Sequence, residues 1–208
     1  MSERMKTHHY IVAAFLLVAV LVVVIGVYVN EEPESPALTT VSGESGRLDR
    51  LFQEMGIAQV ASTDPLSEVA FRDLDGRTVN LSDFKGKIVF LNFWTTWCAA
   101  CRDEMPQMEK LYAKFKNADF AMLAVDLQES AAVVRDFFKY YKLSFTALLD
   151  PDAMARSLFA VRSIPTTLIL DKEGRIVGAA VGSREWDSKE SLALFELLIS
   201  AAQAPPAA

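Results

Sequence analysis

The chain has 208 residues, of which 51% are hydrophobic, and it carries a formal net charge of −6. This length is enough for one globular domain and an additional segment. The negative charge disfavours nucleic acid as a partner, because binding to phosphate groups needs clustered lysine and arginine.

An uncharged apolar run of twenty residues, Tyr10–Val29, lies near the N-terminus. As a helix rising about 1.5 Å per residue it extends roughly 30 Å, the thickness of the hydrocarbon core of a bilayer. Arg4 and Lys6 precede the run and glutamates follow it, so the positive-inside rule places residues 1–9 in the cytoplasm and the domain outside. The alternative is a cleaved signal peptide, but no A-x-A-like site follows the run. We therefore expect an uncleaved anchor in the cytoplasmic membrane.

Two segments of different character follow this run. Residues 30–46 are rich in Pro, Ser, Thr and Glu. They are predicted to form a flexible tether, because they have too little apolar surface to offset the entropy of ordering. Residues 47–60 carry Leu48, Leu51 and Phe52 on one helical face. We expect a short amphipathic helix that packs on the edge of the following domain, with docking to a partner protein as the alternative.

From Val69 onwards, strand patterns alternate with helix patterns. Val69–Leu81 predicts a hairpin that turns at Asp75-Gly76, and the apolar run Ile88–Phe93 predicts a buried strand. The other predicted elements are helix 99–115, strand 120–125, helix 131–141, strand 144–148, helix 151–159, strands 166–170 and 176–181, and helix 187–202. Such alternation favours an α/β domain, which we place at residues 66–203.

Both cysteines of the chain, Cys98 and Cys101, lie where the strand ending at Phe93 gives way to a helix. At a helix N-terminus the free N–H groups and the helix dipole favour an anion. The thiol of Cys98 is therefore expected to have a pKa below the free value of about 8.5 and to be nucleophilic. Cys101, one turn into the helix, is placed to close a disulfide with it.

Two other interpretations of the cysteine pair have less support. A structural zinc site needs about four ligands, yet there is no third cysteine, and the only histidines, His8 and His9, precede the apolar run. A purely structural disulfide would close a very short loop and constrain little of the unfolded chain. A redox-active dithiol is therefore the favoured interpretation.

The segment from Val69 to Ser183 resembles the membrane-anchored TlpA/ResA-like thiol–disulfide oxidoreductases of the thioredoxin superfamily. The matching sequences are FRDLDGRTVNLSDFKGKIVFLNFWTTWCAACRDEMP, SIPTTLILDKEGRIV and AVGS, with a tryptophan before the CxxC motif and Pro106 after it. The resemblance implies a thioredoxin-like fold with an N-terminal β-hairpin and a central α–β insertion at residues 131–148. It also implies that no organic cofactor or metal is needed.

The resemblance further implies roles for residues around the dithiol. Pro165 is expected to be cis and to belong to the catalytic site. The backbone of Ile164 would then be exposed and able to pair with an extended substrate. Trp97, directly before Cys98, is expected to form an apolar rim for substrate contact, whereas Trp94 is expected in the core.

Glu104 lies three residues after Cys101 and hence on nearly the same helical face. In TlpA/ResA-like proteins a glutamate at this place lies near the dithiol. There its charge would raise the thiol pKa values, or the carboxyl group would transfer a proton. The alternative is a surface charge that only complements the helix dipole. As a surface residue, Glu104 is expected to be replaceable by glutamine with folding nearly intact.

Two positions bear on the choice between reductant and oxidant. Asn92 stands where plain thioredoxin has a buried aspartate, which fits the TlpA/ResA-like proteins. Ala100 stands where most of those relatives carry proline, so their redox potential does not transfer to this chain. Potentials on this fold range from about −270 to about −120 mV.

We expect a membrane-anchored, extracytoplasmic reductase of protein disulfides, in which Cys98 attacks the substrate and Cys101 resolves the mixed disulfide. The resemblance implies that the substrates are haem-binding cysteines of apocytochrome c, or metal-site cysteines of respiratory oxidase subunits. It also implies a membrane electron-transfer protein as donor. A disulfide-forming oxidase or isomerase is the alternative. A copper-delivery protein is disfavoured, because no histidine follows His9 to act as a third ligand.

The anchor prediction has a direct test. If Tyr10–Val29 spans the membrane uncleaved, the mature protein keeps its N-terminal residues and stays in the membrane fraction through an alkaline carbonate wash. N-terminal sequencing and fractionation measure the two properties. Recovery of a soluble protein that begins beyond Val29 would show a cleaved signal peptide instead.

Overall fold

The computed structural model describes residues 36–66 and 68–201. The chain divides into two units, Met1–Glu44 and Ser45–Ala208, and the described residues of the first unit, 36–44, are helical. The predicted anchor, Tyr10–Val29, lies outside the described residues. Among the described residues, no helix has the length and apolar character needed to cross a membrane.

Helix α1, Pro36–Glu54, begins earlier than predicted. This differs from the flexible tether predicted for residues 30–46. Pro36 can begin the helix, because an N–H is not needed in the first helical turn. The helix can extend this far, because each residue added to an existing helix gains one hydrogen bond. The helix also ends before residue 60, because Gly56 adopts a φ of +60° and the Ile57 N–H donates back to the Phe52 carbonyl.

The apolar stripe of α1 packs on its own domain. Leu51, Phe52 and Met55 are buried, and Leu48 is half-buried against the same core cluster. The predicted packing on the domain edge is confirmed, and the stripe is not left open for a partner. The domain therefore includes the part of α1 from Ser45 onwards, whereas the sequence predicts a start near residue 66.

The remaining elements follow the predicted order closely. They are β1 Ala58–Gln59, β2 Ala70–Asp73, β3 Thr78–Asn80, β4 Ile88–Trp94, α2 Ala99–Phe115, β5 Phe120–Leu127, α3 Ala131–Tyr141, β6 Thr146–Asp150, α4 Met154–Leu158, β7 Thr166–Leu170, β8 Ile176–Val181 and α5 Lys189–Ala201. Strand β1 and a 3₁₀ turn at Leu81–Phe84 are not predicted, because both are too short to show a periodic pattern.

The described strands form one mixed sheet in the order β1-β8-β7-β4-β5-β6-β2-β3. Strands β4, β5 and β6 run parallel, and the flanking pairs are antiparallel. The predicted hairpin is present as β2–β3, with Phe71 opposite Val79 and Gly76 at a φ of +84° in the turn. The α–β insertion is present as α3 and β6. The predicted α/β architecture is thus confirmed for the described residues.

Strand β4 lies inside the sheet, and all its side chains are buried. Successive residues face opposite sides. Phe90 and Trp94 join the core cluster that includes α2 and α5, whereas Val89, Leu91 and Phe93 join the cluster on the other face. Burial on both faces explains why the strand is a continuous apolar run and why Trp94 lies in the core, as predicted. This rigid strand leads directly into the segment with the two cysteines.

Gly178 in β8 allows α1 to approach the sheet. A Cβ atom at Gly178 would lie 2.7 Å from a ring carbon of Phe52 and 3.2 Å from a methyl carbon of Ile57. Gly178→Ala is therefore expected to lower the free energy of unfolding by about 1–3 kcal/mol through overpacking. Denaturant-induced unfolding measures this loss.

Gly46→Ala is the matched control. Gly46 lies in α1 with nothing within 4 Å of a Cβ atom. Alanine is the better helix former, so this substitution is expected to leave stability unchanged or raise it by up to about 1 kcal/mol. An equal loss from both substitutions would mean that crowding beneath α1 is not the cause.

Candidate active site

The two cysteines form a disulfide at the N-terminus of α2, with their Cα atoms 5.3 Å apart. Cys98 is the N-cap residue, and its Sγ accepts a hydrogen bond of 3.2 Å from the Cys101 N–H. Cys98 is half-buried, whereas Cys101 is fully buried. A substrate therefore reaches Cys98 first, which supports its predicted role as the attacking thiol and that of Cys101 as the resolving thiol.

A groove of about 240 Å³ is lined by Trp97 and Ile164. Trp97 is 69% exposed, and Ile164 is half-buried. The Ile164–Pro165 peptide bond is cis, as predicted. Within the described part of the chain, neither the N–H nor the C=O of Ile164 makes a hydrogen bond. These groups can pair with an extended polypeptide, so the proposed substrate contacts lie along one groove.

Glu104 does not lie on the helix surface. Its side chain is 1% exposed. Its carboxylate accepts hydrogen bonds from Asn92 Nδ2 at 3.0 Å, Trp186 Nε1 at 2.9 Å and the Arg184 N–H at 3.2 Å. The surface interpretation of Glu104 is therefore wrong, because the loop between β8 and α5 covers this face of α2.

Burial dominates the electrostatics of Glu104. It raises the pKa of the carboxyl group to about 7, and the hydrogen bonds from Trp186, Arg184 and Asn92 offset only part of this effect. Both Glu104 and Cys101 are buried on α2, about one turn apart. A carboxyl group that titrates near neutral pH beside a thiol is suited to accept its proton. In its charged form it also raises the thiol pKa.

Asn92 connects Glu104 to strand β7. Its Nδ2 donates hydrogen bonds of 3.0 Å to Glu104 Oε1 and to Thr167 Oγ1. Asn92 is fully buried, and its Oδ1 has no hydrogen-bond partner among the described residues. An aspartate here would add a second buried charge beside Glu104. The asparagine holds the carboxylate in place without that repulsion.

A second pair of acidic residues, Asp126 and Glu129, holds the loop before Cys98. Glu129 Oε2 accepts a hydrogen bond of 2.6 Å from the Thr96 N–H, and Oε1 accepts one of 2.7 Å from the Thr96 hydroxyl. The Glu129 N–H donates to Asp126 Oδ1 at 2.8 Å. Because Glu129 takes both donors of Thr96, the pair fixes the backbone two residues before Cys98.

The electrostatics of this pair are set by burial and by proximity. Asp126 is fully buried, and burial together with the neighbouring Glu129 raises its pKa. Burial alone would raise the pKa of Glu129 as well, but the hydrogen bonds with Asp126 and Thr96 lower it. The apolar pattern of β5 does not identify the pair. The available signal was an acidic residue near the end of a buried strand, followed three positions later by another.

Comparison with known proteins agrees with this geometry. The AhpC/TSA family matches residues 63–179. The thiol-disulfide oxidoreductase ResA of Bacillus cereus is 39% identical over 120 residues, which are 58% of this chain and 68% of that protein. The chain belongs to the AhpC/TSA family and is a ResA-like thiol–disulfide oxidoreductase. The predicted resemblance and enzyme class are thus confirmed.

Solved structures share the fold of this oxidoreductase. One from Chlorobium tepidum, described as a thiol:disulfide interchange protein DsbE, is 30% identical and covers 69% of this chain and 99% of its own, with a TM-score of 0.59. A secreted thiol-disulfide isomerase from Corynebacterium glutamicum is 26% identical and covers 71% of this chain and 92% of its own, also with a TM-score of 0.59. The fold is therefore thioredoxin-like.

The arrangement in this oxidoreductase is suited to thiol–disulfide exchange. It combines an accessible sulfur at a helix N-terminus, a buried second sulfur and a nearby carboxyl group that can hold a proton. In the described ranges, no group of three or more His, Cys, Asp or Glu residues is placed to hold a metal ion. The structure brings the predicted residues together around α2 and the adjoining groove: Cys98, Cys101, Glu104, Pro165, Trp97 and Ile164. Their individual roles in turnover stay predictions.

Burial raises the pKa of Glu104 from 4.5 to about 7, so folding favours the protonated form. This stabilising contribution is complete below about pH 4.5 and is lost as the pH rises through about 7, a change of roughly 3 kcal/mol. Glu104→Gln removes this titration. The free energy of unfolding of the variant, relative to the native protein, is therefore expected to rise by that amount between about pH 4 and about pH 8. Denaturant titrations at the two pH values measure it.

The same variant tests whether Glu104 acts on the cysteines. Removing a like charge is expected to shift the titration of the Cys98 thiol to lower pH. The alkylation rate of Cys98 in the reduced protein, measured as a function of pH, reports this titration. Asp103→Asn is the control, because Asp103 is the exposed neighbour on the same helix. An unchanged titration in Glu104→Gln, or an equal shift in the control, would count against a specific effect of the buried carboxylate.

Proposed function

We propose that this oxidoreductase is a membrane-anchored, extracytoplasmic reductase of protein disulfides. The observation that supports this direction is the buried carboxyl group of Glu104, about one turn from Cys101. A nearby negative charge disfavours a thiolate, so it stabilises the disulfide relative to the dithiol and makes the dithiol a stronger reductant. A strong disulfide donor has the opposite property, a stabilised reduced form.

The reaction consists of two thiol–disulfide exchanges. The Cys98 thiolate attacks one sulfur of the substrate disulfide, forms a mixed disulfide and releases the other sulfur as a thiolate. Cys101 then passes its proton to Glu104, and its thiolate attacks Cys98 Sγ. The Cys98–Cys101 disulfide forms and the second substrate thiolate leaves. Two electrons have passed to the substrate, whose thiolates take up protons from solvent.

The groove lined by Trp97 and Ile164 holds the substrate during this exchange. The exposed indole of Trp97 provides an apolar contact next to Cys98. The unpaired backbone groups of Ile164 provide hydrogen bonds to an extended segment. A polypeptide bound in this way has its disulfide directed towards the half-buried Cys98 sulfur.

Location, substrate and donor complete the proposal. The apolar run Tyr10–Val29, with basic residues before it and acidic residues after it, supports an anchor with the domain outside the cytoplasm. On the resemblance, the substrates are haem-binding cysteines of apocytochrome c, or metal-site cysteines of a respiratory oxidase subunit.

The proposed location also requires an electron donor. Because the space outside the cytoplasm is oxidising, re-reduction of the dithiol requires a membrane electron-transfer protein that carries cytosolic thioredoxin equivalents. Both electrons come from the two cysteines, so no organic cofactor or metal is required.

A disulfide-forming oxidase or isomerase is the second candidate. The hydrogen bond from the Cys101 N–H to Cys98 Sγ, at the positive end of α2, stabilises a thiolate and so favours the reduced form. Ala100 replaces the proline of most TlpA/ResA-like relatives and leaves the potential open. Glu104 and the helix terminus thus act in opposite directions on the same pair of cysteines.

Redox titration against glutathione distinguishes the two functions. The soluble form for this test should begin at Asn30, because truncation at Leu66 would remove the buried Leu51 and Phe52 of α1. If the reductase proposal holds, the potential is expected below roughly −220 mV, towards that of thioredoxin. A potential near −120 mV, with the protein mostly oxidised in cells, would identify a disulfide donor.

A further inference from the structure

The groove beside Trp97 and Ile164 carries a positive charge. Among the described residues that line it, the charged ones are Arg156 and Arg162. Arg156 lies in α4, and Arg162 lies in the loop between α4 and β7. Both side chains are exposed, so both are accessible to a molecule in the groove.

The guanidinium groups of these two arginines have no partner within the described part of the chain. Arg135 pairs with Asp75, and Arg175 pairs with Asp171. In contrast, neither the Arg156 side chain nor the Arg162 side chain forms an ion pair or a hydrogen bond among the described residues. The fold therefore does not use their guanidinium groups, although the chain has a net charge of −6.

Carboxyl groups near the groove do not neutralise the two arginines. Asp126, at the end of the adjoining strand, is fully buried. Both oxygens of Glu129 accept hydrogen bonds from Thr96. Asp152 lines a different groove, formed with β2 and β6. The guanidinium groups are thus available to an external anion.

We propose that Arg156 and Arg162 recognise carboxylate groups of the substrate, so that the oxidoreductase acts preferentially on protein segments with Asp or Glu close to their disulfide. A guanidinium group matches a carboxylate geometrically and donates two parallel hydrogen bonds to it. The neighbouring Trp97 and the unpaired backbone of Ile164 suit an extended polypeptide rather than a small anion. This inference rests on the proposed function as a reductase of protein disulfides.

Three disulfide-bonded peptides test the inference. They differ only in the residues that flank the cystine, which are Glu, Gln or Lys. The rate constant for oxidation of the reduced full-length protein is measured with each peptide by stopped-flow fluorescence. At low salt, the acidic peptide is expected to react about tenfold faster than the basic one. The ratio should fall towards one at high salt, because exposed charges are screened.

The double variant Arg156→Gln/Arg162→Gln is expected to bring the acidic-to-basic ratio close to one. The ratio is taken within one variant, so a general change in the reactivity of Cys98 cancels. Arg47→Gln/Arg50→Gln is the matched control, because both residues are exposed on α1 and lie outside the groove. This variant also removes two positive charges, and it is expected to leave the ratio unchanged.

The outcomes separate this inference from the proposed function. Equal rates for the acidic and basic peptides, or an equal loss of preference in the control, would overturn carboxylate recognition while the reductase remains. If the double variant loses rate only with glutathione disulfide, the arginines bind a small anionic disulfide, and recognition of protein segments is wrong. If none of the three peptides oxidises the reduced protein, the proposed function itself fails.

Discussion

The redox centre depends on the buried carboxylate of Glu104. This group lies in the helix that carries both cysteines, and it accepts hydrogen bonds from Asn92 in β4 and from Arg184 and Trp186 after β8. A buried carboxylate is costly unless donors satisfy it. Because the donors come from two separate parts of the chain, the carboxylate is satisfied only when β4, α2 and the loop after β8 are assembled. The carboxyl group that we propose as the proton acceptor is thus held in place by β4 and by the loop after β8.

Arg184 extends this network to the N-terminal helix. Its backbone N–H donates to Glu104, while its guanidinium group donates to the carbonyls of Met55 at 2.8 Å and Gly56 at 2.9 Å. The guanidinium group therefore caps the C-terminal end of α1. One residue connects the end of that helix to the carboxylate beside the cysteines. This explains why the C-terminal part of α1, from Ser45, belongs to the redox domain, although the family match begins at residue 63.

The sequence predicted what depends on local pattern. The bounds of α2 and β7 were correct, since periodic apolar residues and neighbouring turns define both elements. The position of Glu104 after Cys101 indicated the correct helical face. Its burial was not predictable, because Arg184 and Trp186 cover it from about eighty positions away. Periodicity tells which face of a helix is apolar but not which loop packs on a polar residue there. The same limit applies to Asp126, because its partner Glu129, and Thr96 to which Glu129 binds, lie outside its own strand.

The charges around the dithiol are separated according to their function in the proposed reductase. The carboxyl groups of Glu104 and Glu129 are held by hydrogen bonds within the fold, and that of Glu104 lies about one helical turn from Cys101. The raised pKa of Asp126 limits the charge of the second pair near neutral pH. Arg156 and Arg162 instead line the groove, and their guanidinium groups have no partner among the described residues. If these arginines were paired with those carboxylates, the negative charge near the cysteines and the positive charge of the groove would cancel each other. Their separation lets one site combine the proposed reducing dithiol with attraction for an acidic substrate.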